Sequence, residues 1–193
     1  MQQTQVKENV IIYAEPDRCL GCHSCELACA VAHGGEGQDI VSAVAAHLPL
    51  HARNQVISVD GATMPMQCRQ CEDAPCTLVC PTGACHQAKG QIQIVEQQCI
   101  GCKLCVMVCP FGSITVRSEE RQKATSITNR GVAKKCDLCV EWRASTGKSD
   151  PACVESCPTK AIKMVDVNAY RDALRLARAR EIAQSHRSIR ISL

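Results

Sequence analysis

Sixteen of the 17 cysteines in this 193-residue chain fall into four groups of four. Cys19, Cys22, Cys25 and Cys29 form Cys-x2-Cys-x2-Cys-x3-Cys, and Cys99, Cys102, Cys105 and Cys109 repeat that spacing unchanged. Cys68, Cys71, Cys76 and Cys80 give Cys-x2-Cys-x4-Cys-x3-Cys, while Cys136, Cys139, Cys153 and Cys157 give Cys-x2-Cys-x13-Cys-x3-Cys. Every group closes with Cys-x3-Cys. Thiols so spaced can bind metal, do redox chemistry or pair as disulfides. The odd count, and a length well above that of small disulfide scaffolds, speak against a disulfide framework. The first residues, Met1 to Asn9, show neither a charged-then-apolar leader nor an arginine pair, so the expected compartment is the reducing cytoplasm, with a peripheral place on a membrane-bound complex as the variant.

Among metals, the spacing favours iron-sulfur clusters. A cubane cluster presents four iron corners, and a tight loop with a cysteine at every third residue can wrap three of them. The fourth ligand must come from elsewhere, as it does in two-cluster ferredoxins, where the last cysteine of each run binds the other cluster. Pro81, Pro110 and Pro158 follow three of the closing cysteines, as in the ferredoxin Cys-Pro ending; Ala30 stands after Cys29. Gly21 and Gly101 separate the first two cysteines of their runs, where a missing side chain allows close backbone approach. Zinc, the competing metal, calls for neither the third cysteine at this spacing nor the Cys-Pro ending.

These groups need short elements to present them. Val10-Ile11-Ile12-Tyr13, Gln91-Ile92-Gln93-Ile94-Val95, Ser113-Ile114-Thr115-Val116 and Ala161-Ile162-Lys163-Met164-Val165 read as strands, and each cysteine run supplies a loop and a short helix between them. The pattern is a repeated β-α-β unit in a ferredoxin-like α+β arrangement. Aromatic residues make up only 2% of the chain, namely Tyr13, Phe111, Trp142 and Tyr170, so the clusters are expected to take over the core. Cys85 falls where the other repeats carry isoleucine, and reads as a small buried apolar residue rather than a ligand.

At these motifs the chain resembles the four-cluster, ferredoxin-like electron-transfer subunits that accompany molybdopterin oxidoreductases, formate hydrogenlyase and carbon monoxide dehydrogenase. The resemblance covers about Val10 to Val165 and includes Cys-His-Ser-Cys-Glu-Leu-Ala-Cys at 22–29, Cys-Arg-Gln-Cys-Glu-Asp-Ala-Pro-Cys at 68–76 and Lys-Cys-Asp-Leu-Cys at 135–139. It is most similar to the carbon monoxide dehydrogenase-associated iron-sulfur protein, ahead of the formate hydrogenlyase small subunit. The resemblance implies four [4Fe-4S] clusters with nested ligation. One lobe holds a cluster on Cys19, Cys22, Cys25 and Cys157 and another on Cys136, Cys139, Cys153 and Cys29. The other lobe holds one on Cys68, Cys71, Cys76 and Cys109 and another on Cys99, Cys102, Cys105 and Cys80. The implied domains are a first lobe of 1–35 and 130–166, a second of 60–117, an insertion of 36–59, a connector of 118–129 and a basic C-terminal helix and tail of 167–193. The implied role is relay of electrons from a catalytic oxidoreductase subunit, of carbon monoxide dehydrogenase or formate dehydrogenase type, to an acceptor such as a hydrogenase.

The rest of the sequence bounds this reading. A net charge of +3 excludes a nucleic-acid binder driven by charge alone. The longest apolar candidate, Ile40 to Leu50, is short and contains Ser42, His47 and Pro49, which excludes a membrane-spanning helix. No Ser-His-Asp set, glycine-rich phosphate loop or carboxylate pair marks a catalytic site. Sixteen cysteines for sixteen iron corners leave no open coordination position for substrate reduction. Between the first two groups, in residues 30–67, His33-Gly34-Gly35-Glu36-Gly37 reads as a flexible stretch and Gln55–Val59 as one strand of a pair, and the segment is expected to cover a lobe or contact a partner. Residues 117–134 read as a solvated connector and 143–152 as a loop inside the fourth group. His23 reads as an exposed loop residue. Residues 167–187 read as a helix packed through Tyr170, Leu174 and Ala177, with Arg171, Arg175, Arg178, Arg180 and Arg187 mostly on its other faces; docking on an acidic partner is the alternative.

Overall fold

The computed structural model describes residues 9–34, 39–47, 49–117 and 131–188. Among these residues eight strands form four separate two-stranded antiparallel sheets. The first strand, β1 (Val10–Ala14), pairs with the last, β8 (Ile162–Asp166), with Ile12 opposite Met164. Inside this closure lie the hairpins β2 (Asn54–Val59) with β3 (Ala62–Gln67) and β4 (Cys85–Ala88) with β5 (Gln91–Ile94), and the pair β6 (Thr115–Arg117) with β7 (Val132–Lys134). The strand expectations at Val10, Gln91, Ser113 and Ala161 are met to within two residues. All the pairings are antiparallel, so no parallel β-α-β unit forms among the described residues. β4 escaped notice because Cys85-His86-Gln87-Ala88 contains no β-branched or aromatic residue.

The helices are brief: α1 (Ser24–Ala32), α2 (Ile40–Ala45), α3 (Pro75–Leu78), α4 (Leu104–Val108), α5 (Val140–Thr146), α6 (Ala152–Glu155) and the long α7 (Val167–Ser188). α1 and α4 follow matching cysteine loops but end differently. α4 stops at Cys109, ahead of Pro110, whose ring cannot continue a helix, while Ala30 lets α1 run past Cys29 to Ala32. That extra turn carries His33 to a fixed position beside Cys29.

Three expectations require correction. The segment 143–152 is not all loop: α5 occupies its first part through Thr146, Gly147 ends that helix in a left-handed conformation (φ 71°), and α6 starts at Ala152. The expected solvated connector of 117–134 has ordered ends, with Arg117 closing β6 and Val132 and Ala133 buried in β7; its middle, including 118–129, lies outside the described residues. Helix α7 forms, but it is not packed: every described side chain from Val167 to Ser185 is exposed, including Tyr170, Leu174 and Ala177. Val167, Tyr170, Leu174 and Ala177 follow one another at helical spacing, but no other described element covers them.

The interior consists of two clusters. One joins Val10, Ile12, Leu138, Val154 and Ile162 to Cys25, Cys68, Cys136, Cys153 and Cys157. The other joins Ile92, Ile114, Val132 and Ala133 to Cys76, Cys85, Cys99 and Cys105. Cysteine thus contributes close to half of each, which accounts for the scarcity of aromatics. Ile12 is 1% exposed and links the terminal strand pair to the first core. Ile12→Ala should therefore cost about 2–5 kcal/mol, read as a lowered thermal midpoint in anaerobic scans at one fixed rate; an unchanged midpoint would show that the β1–β8 closure contributes little.

Candidate metal centre

The cysteine loops are shaped by left-handed backbone. Gly21 and Gly101 have φ of 65° and 66°, and His23 and Lys103, two residues later, have φ of 59° and 68°. The two Cys-x2-Cys-x2-Cys runs therefore bend alike, and each ends in a helix that starts one residue before its third cysteine. A side chain at Gly21 would also press on Thr63 of β3, its Cβ only 3.2 Å from Cγ2.

None of the 17 cysteines forms a disulfide. Instead their sulfurs gather around hollows. Cys19, Cys22 and Cys25 line one together with Cys157, which is more than 130 positions away in the chain. Cys68, Cys71 and Cys76 line a second with Cys109. Cys99, Cys102 and Cys105 line a third with Cys80. The remaining four, Cys29, Cys136, Cys139 and Cys153, are all buried, and the Cys153 thiol is pushed up first by burial and then by repulsion from Cys136, Cys139 and Cys29. Three hollows thus bring together twelve of the cysteines singled out from spacing, and Cys153 lies close enough to Cys29, Cys136 and Cys139 for their charges to interact.

The chemistry of these sets fits a metal cluster. Burial pushes Cys25 and Cys105 up to about 11, and Cys136 and Cys153 upward as well. Where burial is deepest, as at Cys136 and Cys153, the metal-free site favours the neutral thiol, and a strong cationic group would compensate four converging thiolates. A single zinc ion, drawn in by sulfurs at about 2.3 Å, needs no hollow, whereas a cubane of iron and sulfide fills one. Hydrogen-bond donors already point at the sulfurs: the Arg53 amide to Cys29 at 3.3 Å, the Cys85 amide to Cys80 at 3.3 Å, and the Ala133 amide to Cys99 at 3.5 Å.

Residues 59–167 match the family of 4Fe-4S dicluster domains, and residues 16–32 match a 4Fe-4S binding domain. The chain belongs to the 4Fe-4S dicluster family. It is 76% identical to an iron-sulfur protein of Rhodospirillum rubrum, over 96% of this chain and 97% of that one. It is 39% identical to the electron transport protein HydN of Escherichia coli (strain K12), over 83% and 90% of the two chains. With formate hydrogenlyase subunit 2 of the same organism it shares 33% identity, over 82% of each. This dicluster-family member is an iron-sulfur electron-transport protein, an electron-transfer subunit rather than the catalytic one. Among its described residues no helix is long and apolar enough to cross a membrane.

Two functional features escaped sequence reading. His33, read as part of a flexible stretch, is held at one end of its ring by the Cys29 carbonyl (Nδ1, 2.7 Å) and at the other by Asp137 (Nε2, 3.0 Å); residues 35–37 of that stretch lie outside the described residues. Burial opposes charge on the ring, but hydrogen bonds to Asp137, Cys139 and Cys29 outweigh it and hold His33 up to about 12. Asp137 also accepts from Arg53 Nη1 at 2.6 Å and from the Cys139 amide at 3.0 Å; burial is overcome by His33 and Arg53, and its carboxyl lies well below the usual range. The signal lay in Ala30, which lengthens α1, and in the acid between Cys136 and Cys139. His23 is exposed as expected, although its ring reaches Glu26 at 2.8 Å, and Glu26 in turn accepts from the Val56 amide of β2.

Cys85 is buried as anticipated but is not inert: its thiol donates to Cys76, which draws Cys76 down to about 6 and pushes Cys85 up. Two outcomes follow from this layout. Cys157→Ala and Cys19→Ala should abolish the same electron paramagnetic resonance signal, and loss of different signals would defeat the nested arrangement. Cys85→Ala should leave the iron content per chain unchanged.

Proposed function

We propose that the protein holds four [4Fe-4S] clusters and conducts electrons through them between a catalytic oxidoreductase subunit and an acceptor such as a hydrogenase. The clusters would sit on Cys19, Cys22, Cys25 and Cys157; on Cys29, Cys136, Cys139 and Cys153; on Cys68, Cys71, Cys76 and Cys109; and on Cys80, Cys99, Cys102 and Cys105. The observation that carries this reading is the convergence of sulfurs in sets of three from one group and one from another. When bound, such clusters supply reversible one-electron transfer without rearranging the protein. This reading makes two tandem ferredoxin-like lobes, 1–35 with 130–166 and 60–117, nested in the order of the chain.

Exposure suggests where electrons enter and leave. Cys22 and Cys102 are exposed, whereas all four sulfur-bearing residues of the Cys29 set are buried. Leu20 and Ile100 occupy matching positions and line the hollows beside these open cysteines, and Leu78 of α3 and Met107 of α4 are 80% and 82% exposed. Apolar rims around an exposed metal ligand suit brief docking by another electron carrier. The chain's part is to keep the inner sites dry and to present the outer ones.

For the catalytic partner, the sequence resemblance favours carbon monoxide dehydrogenase. A formate hydrogenlyase partner is the second reading, supported by the identity to formate hydrogenlyase subunit 2. The exposed, arginine-rich α7 supports docking on an acidic face of either. Purified anaerobically, the protein should contain about 16 iron and 16 sulfide per chain; a colourless protein holding about four zinc ions would sink the proposal. Truncation after Asp166 should weaken binding to the partner enzyme at least tenfold while iron content stays the same, and unchanged affinity would remove α7 from the interface.

A further inference from the structure

Lys135 is the one charged side chain among the described residues that is buried, at 4% exposure. Its ammonium donates to the Cys136 carbonyl at 2.9 Å and to the Ile92 carbonyl, and no carboxylate pairs with it among the described residues. Beside it lies Gln70, also buried, which donates to the Cys136 carbonyl at 2.9 Å and accepts from the Ile92 amide at 2.8 Å. Lysine and glutamine together hold both backbone groups of Ile92 and the carbonyl of Cys136.

The location of this pair is specific. Ile92 lines the hollow of Cys68, Cys71, Cys76 and Cys109, and Gln70 sits between two of those cysteines in the chain. Cys136 belongs to the buried set with Cys29, Cys139 and Cys153. The pair therefore stands between the two inner sulfur sets and joins the two cores. Attraction from Lys135 also pulls on the thiols of Cys68 and Cys76, although burial dominates at Cys68 and the Cys85 thiol dominates at Cys76.

A buried ammonium with only carbonyl partners is costly unless negative charge lies near it. Thiolates around an occupied cluster provide that charge. We propose that Lys135 acts as a positioning residue for the relay, a fixed counter-charge that raises the reduction potentials of the two inner clusters. The inference rests on the four-cluster reading. Each cluster takes up one electron and no proton, so reduction makes it more negative by one unit, and a nearby ammonium stabilises the reduced form more than the oxidised one. Gln70 holds the shared carbonyls in place so that the charge stays between the sites.

The test is an anaerobic redox titration of the whole holoprotein followed by electron paramagnetic resonance. Lys135→Gln should shift two of the four signals to lower potential and leave two unmoved. At the original midpoint the ratio of reduced to oxidised inner cluster should fall about tenfold, equivalent to 59 mV for a one-electron couple. Lys135→Met should act in the same direction, and Lys135→Arg, which keeps the charge, should leave the potentials close to those of the unaltered protein. Lys89→Gln removes an exposed charge from the β4–β5 turn and should shift none of the four. Unmoved potentials in Lys135→Gln, equal shifts of all four signals, or a shift in Lys135→Arg as large as in Lys135→Gln would overturn the proposal. An iron count well below 16 in the unaltered protein would instead overturn the four-cluster reading on which it stands.

Discussion

Bringing four sulfurs together in a dry hollow is the constraint on which the rest of this structure depends. Thiolates repel one another and resist burial, so a cage of them has no stability of its own. The chain meets the constraint by drawing each fourth sulfur from a distant group: Cys157 to the Cys19 run, and Cys109 to the Cys68 run. Distance in sequence becomes adjacency in space, which forces β8 back onto β1 and leaves small two-stranded sheets in place of one large one.

Most of this was legible because ligand spacing is a geometric demand written directly into the chain. The four cysteine groups and the terminal strands could be read from residue type and interval, whereas which groups share a site was implied only by the family resemblance. What could not be read depends on contacts between distant segments. His33 looked mobile beside Gly34 and Gly35; Asp137 reaches it from more than a hundred residues away. β7 was hidden because Val132-Ala133-Lys134 is too short to declare a period and is defined by its partner β6. Helix α7 failed in the opposite sense: its spacing declared a helix, but spacing alone does not say that a surface exists for it to pack on.

Electrostatics divides the sulfur sets into kinds. The outer sets have an exposed cysteine and an apolar rim, whereas the Cys29 set is fenced by His33, Asp137 and Arg53, a cation-anion-cation row built by one alanine in place of proline. The same fold repeat therefore presents similar cages in different fields. In iron-sulfur proteins, field and solvent access separate potentials by hundreds of millivolts, so variation between repeats is where direction along a chain of like cofactors originates.

The pairing of β1 with β8 also bears on how the molecule is made. During synthesis the Cys68 and Cys109 partners emerge within a short stretch, together with Cys80 and Cys99, so the inner half of the chain can close while its later residues are still in the ribosome. The outer half cannot. On the ligation proposed above, Cys19, Cys22 and Cys25 complete their site only once Cys157 has been made. A run made before the Cys68 and Cys99 groups would then mature after them.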